Sequence, residues 1–570
     1  MFCLTVKPLL MIPAESLRYA LTALSLAVVA AAPLAVAQDL PATTPLDEYI
    51  QKPDSSYRWK VIKEGQQDGL KTLVVDMTSQ TWRSSDDVNR TEWQHWMTFA
   101  IPENAQSNMA FLFISGGSNG GEPPEGPSDL VRMLAQLSGG IVVELKMVPN
   151  QSLIFKNDGR KRVEDDLIGY TWKKFLETND ASWLARPAMV KSAVRAMDTI
   201  TAVMKSETGG GRQVDRFVVA GGSKRGWTTW LTGAVDPRVV AIVPIVIDVL
   251  NVRPSMEHHF AAYGFWAPAL GDYAEHRIVE HLDDVRLDTL YRIEDPYYYR
   301  HRLKLPKYIV NAAGDQFFLP DSSQFYWDDL EGEKYLRYVP NTDHGLDGSD
   351  ALASISAFYR LMLSGKRPPQ FSWKVDSDGA FRVSPQDKPT QVLLWQATNP
   401  QRRDFRVETF GKKYTSTPLE PESNGDYVGR VSEPERGWTA YFVELTYDIG
   451  GPVPLKMTTN IRITPDTLPH REKMTDLPPS LTVICTAADP DKAASAQEAI
   501  KQVFAGRGVD IGQVKMERDG VVCYFNWEPR ETFEDDAKAV IGWLQSQGLD
   551  DFEVQLESGR EITKPDAPQP

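Results

Sequence analysis

Cysteine is nearly absent, with three in 570 residues, and Cys3 lies in a segment read below as a removable leader. Cys485 and Cys523 remain, too few for a disulfide-stapled scaffold but enough for one bridge in an oxidising compartment. Two buried thiols fit the count equally well. Histidine is scarce as well, at eight residues. Apart from the adjacent His258 and His259, which cannot easily chelate one ion, no His or Cys pair has metal-ligand spacing. Neither a metal nor a cofactor is expected. No basic block offsets the 77 acidic residues, which face 62 Lys and Arg for a net charge of −15. That balance argues against nucleic acid or an anionic membrane surface as a partner. What remains is an ordinary globular profile, 42% hydrophobic and 10% aromatic. The length suits about two to four domains.

The long apolar run is N-terminal. Lys7 and Arg18 precede residues 19–32, and Ala35-Val36-Ala37 offers a small-residue cleavage site. About fourteen apolar residues are too few to span a bilayer. Residues 1–37 are read as a signal peptide cut after Ala37. The mature chain is expected to be periplasmic or secreted, with no membrane span.

From 38 to 368, short apolar runs alternate with helical patterns, which predicts an α/β fold with a mostly parallel sheet. Strands are expected at 109–115, 141–145, 217–220, 241–247, 307–313 and 335–339, and a helix at 188–205. Residues 248–306 read as an insertion over the active site, long enough for a lid. It carries His258, His259, His276 and His281, and Tyr297-Tyr298-Tyr299 is placed with it. After 369 the pattern becomes short strands between Gly and Pro turns, which predicts a β-sandwich over 369–464. Residues 465–479 form a proline-containing linker. Residues 480–560 follow the order β-α-β-β-α-β, a split-βαβ (ferredoxin-like) domain with a hairpin closed by Asp519-Gly520. Residues 561–570 are a tail. In that domain Cys485 and Cys523 are expected on neighbouring parallel strands, a poor geometry for a disulfide that favours free thiols.

The sharpest chemistry lies in Val218-Val-Ala-Gly-Gly-Ser223-Lys-Arg-Gly226. A strand runs into Gly-Gly-Ser and straight into a helix, the context of a nucleophile elbow. The tight turn projects the serine hydroxyl so that a base can reach its proton. Lys224 N–H, at the helix start, is a candidate oxyanion donor. Arg225 occupies the slot where the usual motif has a small residue, which weakens the motif on its own. A Gly-Gly-Ser helix cap is the bland alternative.

Chain order adds weight. An α/β-hydrolase runs Ser, acid, His. His344 follows strand 335–339 in Pro-Asn-Thr-Asp-His-Gly, whereas His470 falls in the linker. Asp315 follows strand 307–313, and its job would be to orient His344. Asp248 is the alternative acid, while Asp321 and Asp343 read as capping or turn residues. The loop Gly116-Gly-Ser-Asn-Gly-Gly121 brings Gly117 and Ser118 as further oxyanion donors. It lacks the Gly-Lys-Ser/Thr ending of a P-loop. Glu164 and Asp165, with Asp166, could hold a substrate amine, or form a solvated helix start suited to the dipole. Arg225 and Trp227 are further candidate substrate contacts. Trp93, Trp96, Trp172, Trp183, Trp227 and Trp230 could line a cleft, though tryptophan is more often core.

These residues resemble the PhoPQ-activated pathogenicity-related protein family of exported bacterial proteins. The resemblance spans roughly residues 45–465. It rests on Thr78-Ser-Gln-Thr-Trp82, Ile114-Ser-Gly-Gly-Ser-Asn119, Glu164-Asp-Asp-Leu-Ile168 with Tyr170-Thr-Trp172, Gly221 through Trp230, and Gly314-Asp-Gln-Phe-Phe318. It implies an α/β-hydrolase fold followed by a β-rich region. The family name reports regulation and virulence and assigns no substrate. The elbow spacing Gly221-Gly-Ser-Lys-Arg-Gly226 is also similar to that of glucuronoyl esterases, which implies a carbohydrate carboxyl ester as one substrate class. The expected activity is serine hydrolysis of an acyl ester or amide in a small molecule or peptide. A hydrolase fold kept for binding or signalling is the rival.

Overall fold

The computed structural model describes residues 43–471 except 283, and in the tail 481–486, 510–517, 520–526 and 551–556 with positions 542 and 546. The expected signal peptide and most of both tail helices lie outside these described residues.

A nine-stranded sheet organises the first part. Its strands are β1 (Arg58–Gln67), β2 (Leu70–Thr81), β3 (Glu92–Pro102), β4 (Met109–Ile114) and β5 (Ile141–Leu145). After a two-residue hairpin of β6 (Leu153–Ile154) and β7 (Lys161–Arg162) come β8 (Arg216–Gly222), β9 (Val239–Ile245), β10 (Lys307–Ala312) and β11 (Lys334–Val339). The spatial order is β1-β2-β3-β5-β4-β8-β9-β10-β11. The six strands from β5 to β11 in that order run parallel and coincide with the six apolar runs. β5 and β10 are buried at every position, as strands covered on both faces must be. This is the α/β-hydrolase architecture. β1–β3 extend it antiparallel, an extension not among the expected strands; β1 is exposed along most of its length, whereas β2 and β3 are largely buried.

The helix Ala185–Lys205 carries Pro187 in its first turn and buries Met189, Ala193, Met197 and Ile200. That is the expected apolar face, begun three residues early. Between β9 and β10 the insertion is helical, with Val252–Tyr263, Gly271–Glu275 and Val285–Glu294 joined by 3-10 turns. After β10 the chain makes the 3-10 turn Ser322–Phe325.

Two antiparallel sheets follow. One joins β12 (Phe371–Val375), β13 (Phe381–Pro385) and β16 (Tyr427–Gly429). The other joins β15 (Thr415–Pro418), β14 (Gln391–Asn399), β17 (Trp438–Tyr447) and β18 (Leu455–Thr458), with β19 (Arg462–Thr464) also on β17. Phe381, Val383, Leu394 and Val443 belong to one apolar cluster that also contains Phe111, Val218 and Tyr308 of the large sheet. The core is therefore continuous across the two regions. An exposed strand edge invites unwanted pairing, and here β18 covers β11. Tyr338 N–H donates to Thr458 Oγ1 at 3.0 Å, and the buried Arg337 guanidinium pairs with Glu444 of β17.

In the tail, β20 (Leu481–Thr486), β21 (Asp510–Glu517), β22 (Gly520–Asn526) and β23 (Asp551–Leu556) form a sheet in the order β21-β22-β20-β23. One strand intervenes between β20 and β21, and one between β22 and β23, which is the split arrangement expected. Two details differ. Gly520, expected in the turn, already pairs with Glu517 as strand. β20 and β22 are antiparallel, with Val483 opposite Cys523 and Cys485 opposite Val521. The geometric reason for favouring free thiols, neighbouring parallel strands, does not hold.

Candidate active site

The junction after β8 holds Ser223 at φ 58° and ψ −128°. Such a non-glycine conformation costs about 1–3 kcal/mol and persists only where its surroundings impose it. Here Ser223 N–H donates to the Ile245 carbonyl at 2.8 Å, and the Ser223 carbonyl accepts from Trp227 N–H at 3.0 Å. The turn is tight. A Cβ on Gly221 would lie 2.7 Å from the Arg225 carbonyl oxygen, and one on Gly226 would lie 2.9 Å from those of Gly221 and Ile245. The small residue expected two places after the serine is thus supplied one place later, by Gly226. Arg225 carries its side chain elsewhere.

That side chain goes to Glu164. Arg225 grips the carboxylate at 2.7 and 2.8 Å and donates through Nε to the Val148 carbonyl. Lys224 Nζ lies 2.8 Å from Glu164 and 2.9 Å from Asp165. Gln151 Oε1 accepts Glu164 N–H at 2.7 Å. Burial alone would push the Glu164 carboxyl up, but Lys224 and Arg225 outweigh it and hold it well below the usual range. Asp166 is committed to Arg162 at 2.6 Å and His276 at 2.8 Å. The acidic run is therefore not a solvated helix start, and its carboxylates are already bound to cations of this chain. No spacing rule links Glu164 to residues sixty positions on, so the sequence did not reveal this cluster.

The glycine-rich loop sits beside the elbow, because Ile114 of β4 pairs with Gly221 of β8. It is pinned. Met147 N–H donates to Gly116 at 2.8 Å, Ser118 bridges to Gln151, and Asn119 Nδ2 donates to the Asn150 and Ser152 carbonyls at 3.3 and 3.2 Å. Lys224 opens the helix Lys224–Val235, so its N–H is among those without an intrahelical acceptor.

His344 and Asp315 meet across 29 residues. Nδ1 of His344 lies 2.8 and 3.0 Å from the two Asp315 oxygens, and His344 N–H donates to Gln316 Oε1 at 3.0 Å. Asp315 is 4% exposed and also accepts Phe317 N–H at 2.8 Å. A carboxylate on Nδ1 assigns the proton there and leaves Nε2 basic. That Nε2 is buried and has no hydrogen-bond partner. The imidazole packs on Phe317, with ring centroids 4.4 Å apart. Phe317 also lines a cavity with Ser223, Lys224, Asp165 and Trp227.

The other candidates lie elsewhere. Asp248 accepts hydrogen bonds from Tyr326 and Tyr338, and burial pushes it up to about 7. Asp321 stands at the N-cap position of the turn Ser322–Phe325, but its side chain makes no cap bond and is a buried ion-pair partner, 2.7 Å from Arg403 and 3.0 Å from His258 Nε2. Asp343 is the turn residue expected, accepting Gly345 N–H at 3.0 Å. His259 accepts Ala267 N–H at 3.0 Å, and among the described residues no His, Cys, Asp and Glu cluster could hold a metal ion. Trp172 and Trp227 line the cavity, whereas Trp93 and Trp230 are core. Tyr299 is buried, its hydroxyl donating to Ile293 at 2.9 Å. Tyr297 donates to Asp329 at 2.6 Å; neither tyrosine lines the cavity with Ser223. Among the described residues no helix is long and apolar enough to cross a membrane.

The chain is 37% identical over 456 residues, 75% of its length and 92% of the relative's, to autocrine proliferation repressor protein A of Dictyostelium discoideum. Among solved structures it is similar to acetyl xylan esterase 1 from Thermoanaerobacterium, with 15% identity, TM-score 0.39, and 57% and 95% of the two chains covered. It is also similar to an acylaminoacyl peptidase from Pyrococcus horikoshii, with 13% identity, TM-score 0.33, and 54% and 50% covered. The family model for PhoPQ-activated pathogenicity-related protein matches residues 46–406, and the chain belongs to that family.

Proposed function

We propose that this protein is an exported serine hydrolase whose signal peptide, residues 1–37, is removed after Ala37. The observation that carries the reading is His344. Its Nδ1 is held by Asp315, and its unpartnered, buried Nε2 belongs to a ring packed on a wall of the Ser223 cavity. An unmade hydrogen bond in a buried site is costly, and proton transfer from a serine hydroxyl would satisfy it.

Ser223 Oγ attacks the acyl carbonyl while its proton passes to His344 Nε2. The resulting oxyanion takes hydrogen bonds from the Lys224 N–H and from Gly117 and Ser118 of the pinned loop. Collapse breaks the bond to the leaving group, which carries away the proton from Nε2. Water then enters, gives its proton to Nε2, attacks the acyl-enzyme and releases the acid, returning Ser223 to its hydroxyl. Asp315 keeps the imidazole oriented and stabilises its cationic form throughout. The groups named complete the cycle with no cofactor.

The test is intact mass after treatment with a fluorophosphonate, for the secreted chain and for Ser223→Ala. One adduct in the parent and none in the variant is the expected result. The proliferation-repressor name of the Dictyostelium relative favours a second reading, binding or signalling without turnover. No adduct on a folded sample would leave that one standing.

A further inference from the structure

The cavity beside Ser223 is small and apolar. It offers about 60 Å³, whereas an apolar cavity that admits benzene measures ~150 Å³ and a single water needs ~10–15 Å³. Met256, Leu270, Ile278 and Val279 of the 248–306 insertion close one side, and Trp172 and Trp227 close another. All six are at most 7% exposed.

Of the charged residues on its wall, Asp165 and Lys224 are paired, while Arg186 keeps Nε and Nη1 without a hydrogen bond. Asp165 is held by Lys224 at 2.9 Å and by the Tyr273 hydroxyl at 3.0 Å. Lys224 also binds Glu164. Arg186 lies with its guanidinium 3.7 Å over the Trp227 ring and 3.3 Å from Glu294. A substrate amine entering here would meet a carboxylate that two groups already occupy. A buried charge without a partner is expensive, so a cationic group does not fit, and the apolar walls favour an uncharged one.

From this we infer that the acyl half of the substrate is a short, neutral aliphatic acid in the range from acetyl to butyryl, carried as an ester, with the alcohol half outside the cavity. The inference rests on the serine-hydrolase reading above. It separates an ester of a small acid from both an aminoacyl amide and a long-chain lipid. A small apolar pocket with packed walls discriminates by size because extra methylenes cannot enter it without moving those walls.

The experiment compares kcat/KM of the purified mature chain for p-nitrophenyl acetate, butyrate, octanoate, benzoate and hemisuccinate, and for alanyl p-nitroanilide. Butyrate and octanoate have similar intrinsic reactivity, so their ratio reads the pocket. Butyrate is expected to exceed octanoate roughly 100-fold, with little turnover of benzoate, hemisuccinate or the anilide. Leu270→Ala and Met256→Ala each enlarge the cavity and are expected to shrink that ratio about tenfold. Because the ratio is internal to each sample, partial unfolding of a variant lowers both rates alike and leaves it intact. Octanoate or benzoate equal to butyrate would overturn the inference. So would a preference for hemisuccinate, which would give the unbonded Arg186 Nη1 an anion to receive, or for the anilide. Fluorophosphonate labelling of Ser223 without hydrolysis of any short ester would overturn the inference alone. Absence of labelling would remove the hydrolase reading and this one together.

Discussion

The two halves of the candidate site are braced by different means. On the nucleophile side, Ser223 is backed by a charge cluster of which only Glu164 is appreciably exposed. Glu164, its side chain 39% exposed, joins Lys224 and Arg225. On the acid–base side the braces come from the antiparallel region, through residues 403–414 between β14 and β15. Val407 N–H donates to the Gly314 carbonyl, next to Asp315, at 3.0 Å. Tyr414 and Asn341 exchange two hydrogen bonds of 2.9 Å, three residues before His344. Further out, buried Arg403 binds Asp321, which also holds His258 of the 248–306 insertion. The comparison shows that the antiparallel region is part of the support of the Asp315 and His344 loops. It also shows that the nucleophile side relies on a partly exposed carboxylate whose pairs salt can screen, whereas Arg403 and Asp321 on the other side are both buried.

The largest effect should come from the buried brace. Removing one member of a buried pair leaves an uncompensated charge. Arg403→Met is therefore expected to lower stability by about 3 kcal/mol in urea unfolding. A loss under 1 kcal/mol would make the two sides alike.

Gly314→Ala strikes the same side by shape. The new Cβ would lie 2.6 Å from Val407 Cγ2 and displace the Asp315 loop. Misplacing a catalytic group by an ångström can cost ~100-fold, and a fall of that order in fluorophosphonate labelling rate is expected while circular dichroism stays unchanged. Adding Val407→Ala removes the clashing methyl and should restore part of the rate. No recovery would mean that Val407 is not the contact that matters.

The nucleophile side should respond to salt and acid instead. Because Glu164 is partly exposed, its pairs contribute at most about 1 kcal/mol. Its folded pKa is depressed, so this stability is present above the ordinary carboxylate range, near pH ~4.3, and fades as pH falls below it. The Tm difference between parent and Glu164→Gln should accordingly narrow on acidification below that pH and in 1 M salt. Arg403→Met should show no such salt effect. The smallest change is Tyr414→Phe, which loses only a 3.4 Å bond to Ala313 and should cost about 0.5 kcal/mol in urea unfolding.

The same contrast governs what the sequence disclosed. The six parallel strands, the elbow, Asp315 and His344 are legible because each is a local event at a strand end. Apolar runs mark the strands, and Gly-Gly-Ser, Gly-Asp and Asp-His-Gly mark their exits. The braces are not local. Asn341 finds Tyr414 and Gly314 finds Val407 across strands β12 to β14, and nothing in the composition of 403–414 announces it. Asp321 reads as a cap because short-range rules offer a cap there, while its partners come from residues 258 and 403. Of β1–β3, β1 carries little apolar signal because it is solvated nearly throughout, but β2 and β3 are largely buried and their apolar residues are not among the runs that mark the expected strands. The parallel placement of Cys485 and Cys523 fails for a topological reason, since in a split βαβ order the central neighbours run antiparallel.

The most direct test of the account is peptide mapping of the fluorophosphonate adduct, with its rate, in the parent and in His344→Gln. The account predicts one modified residue, Ser223, formed at least ~100-fold more slowly in the variant. An adduct at another serine, or an unchanged rate without the imidazole, would contradict it.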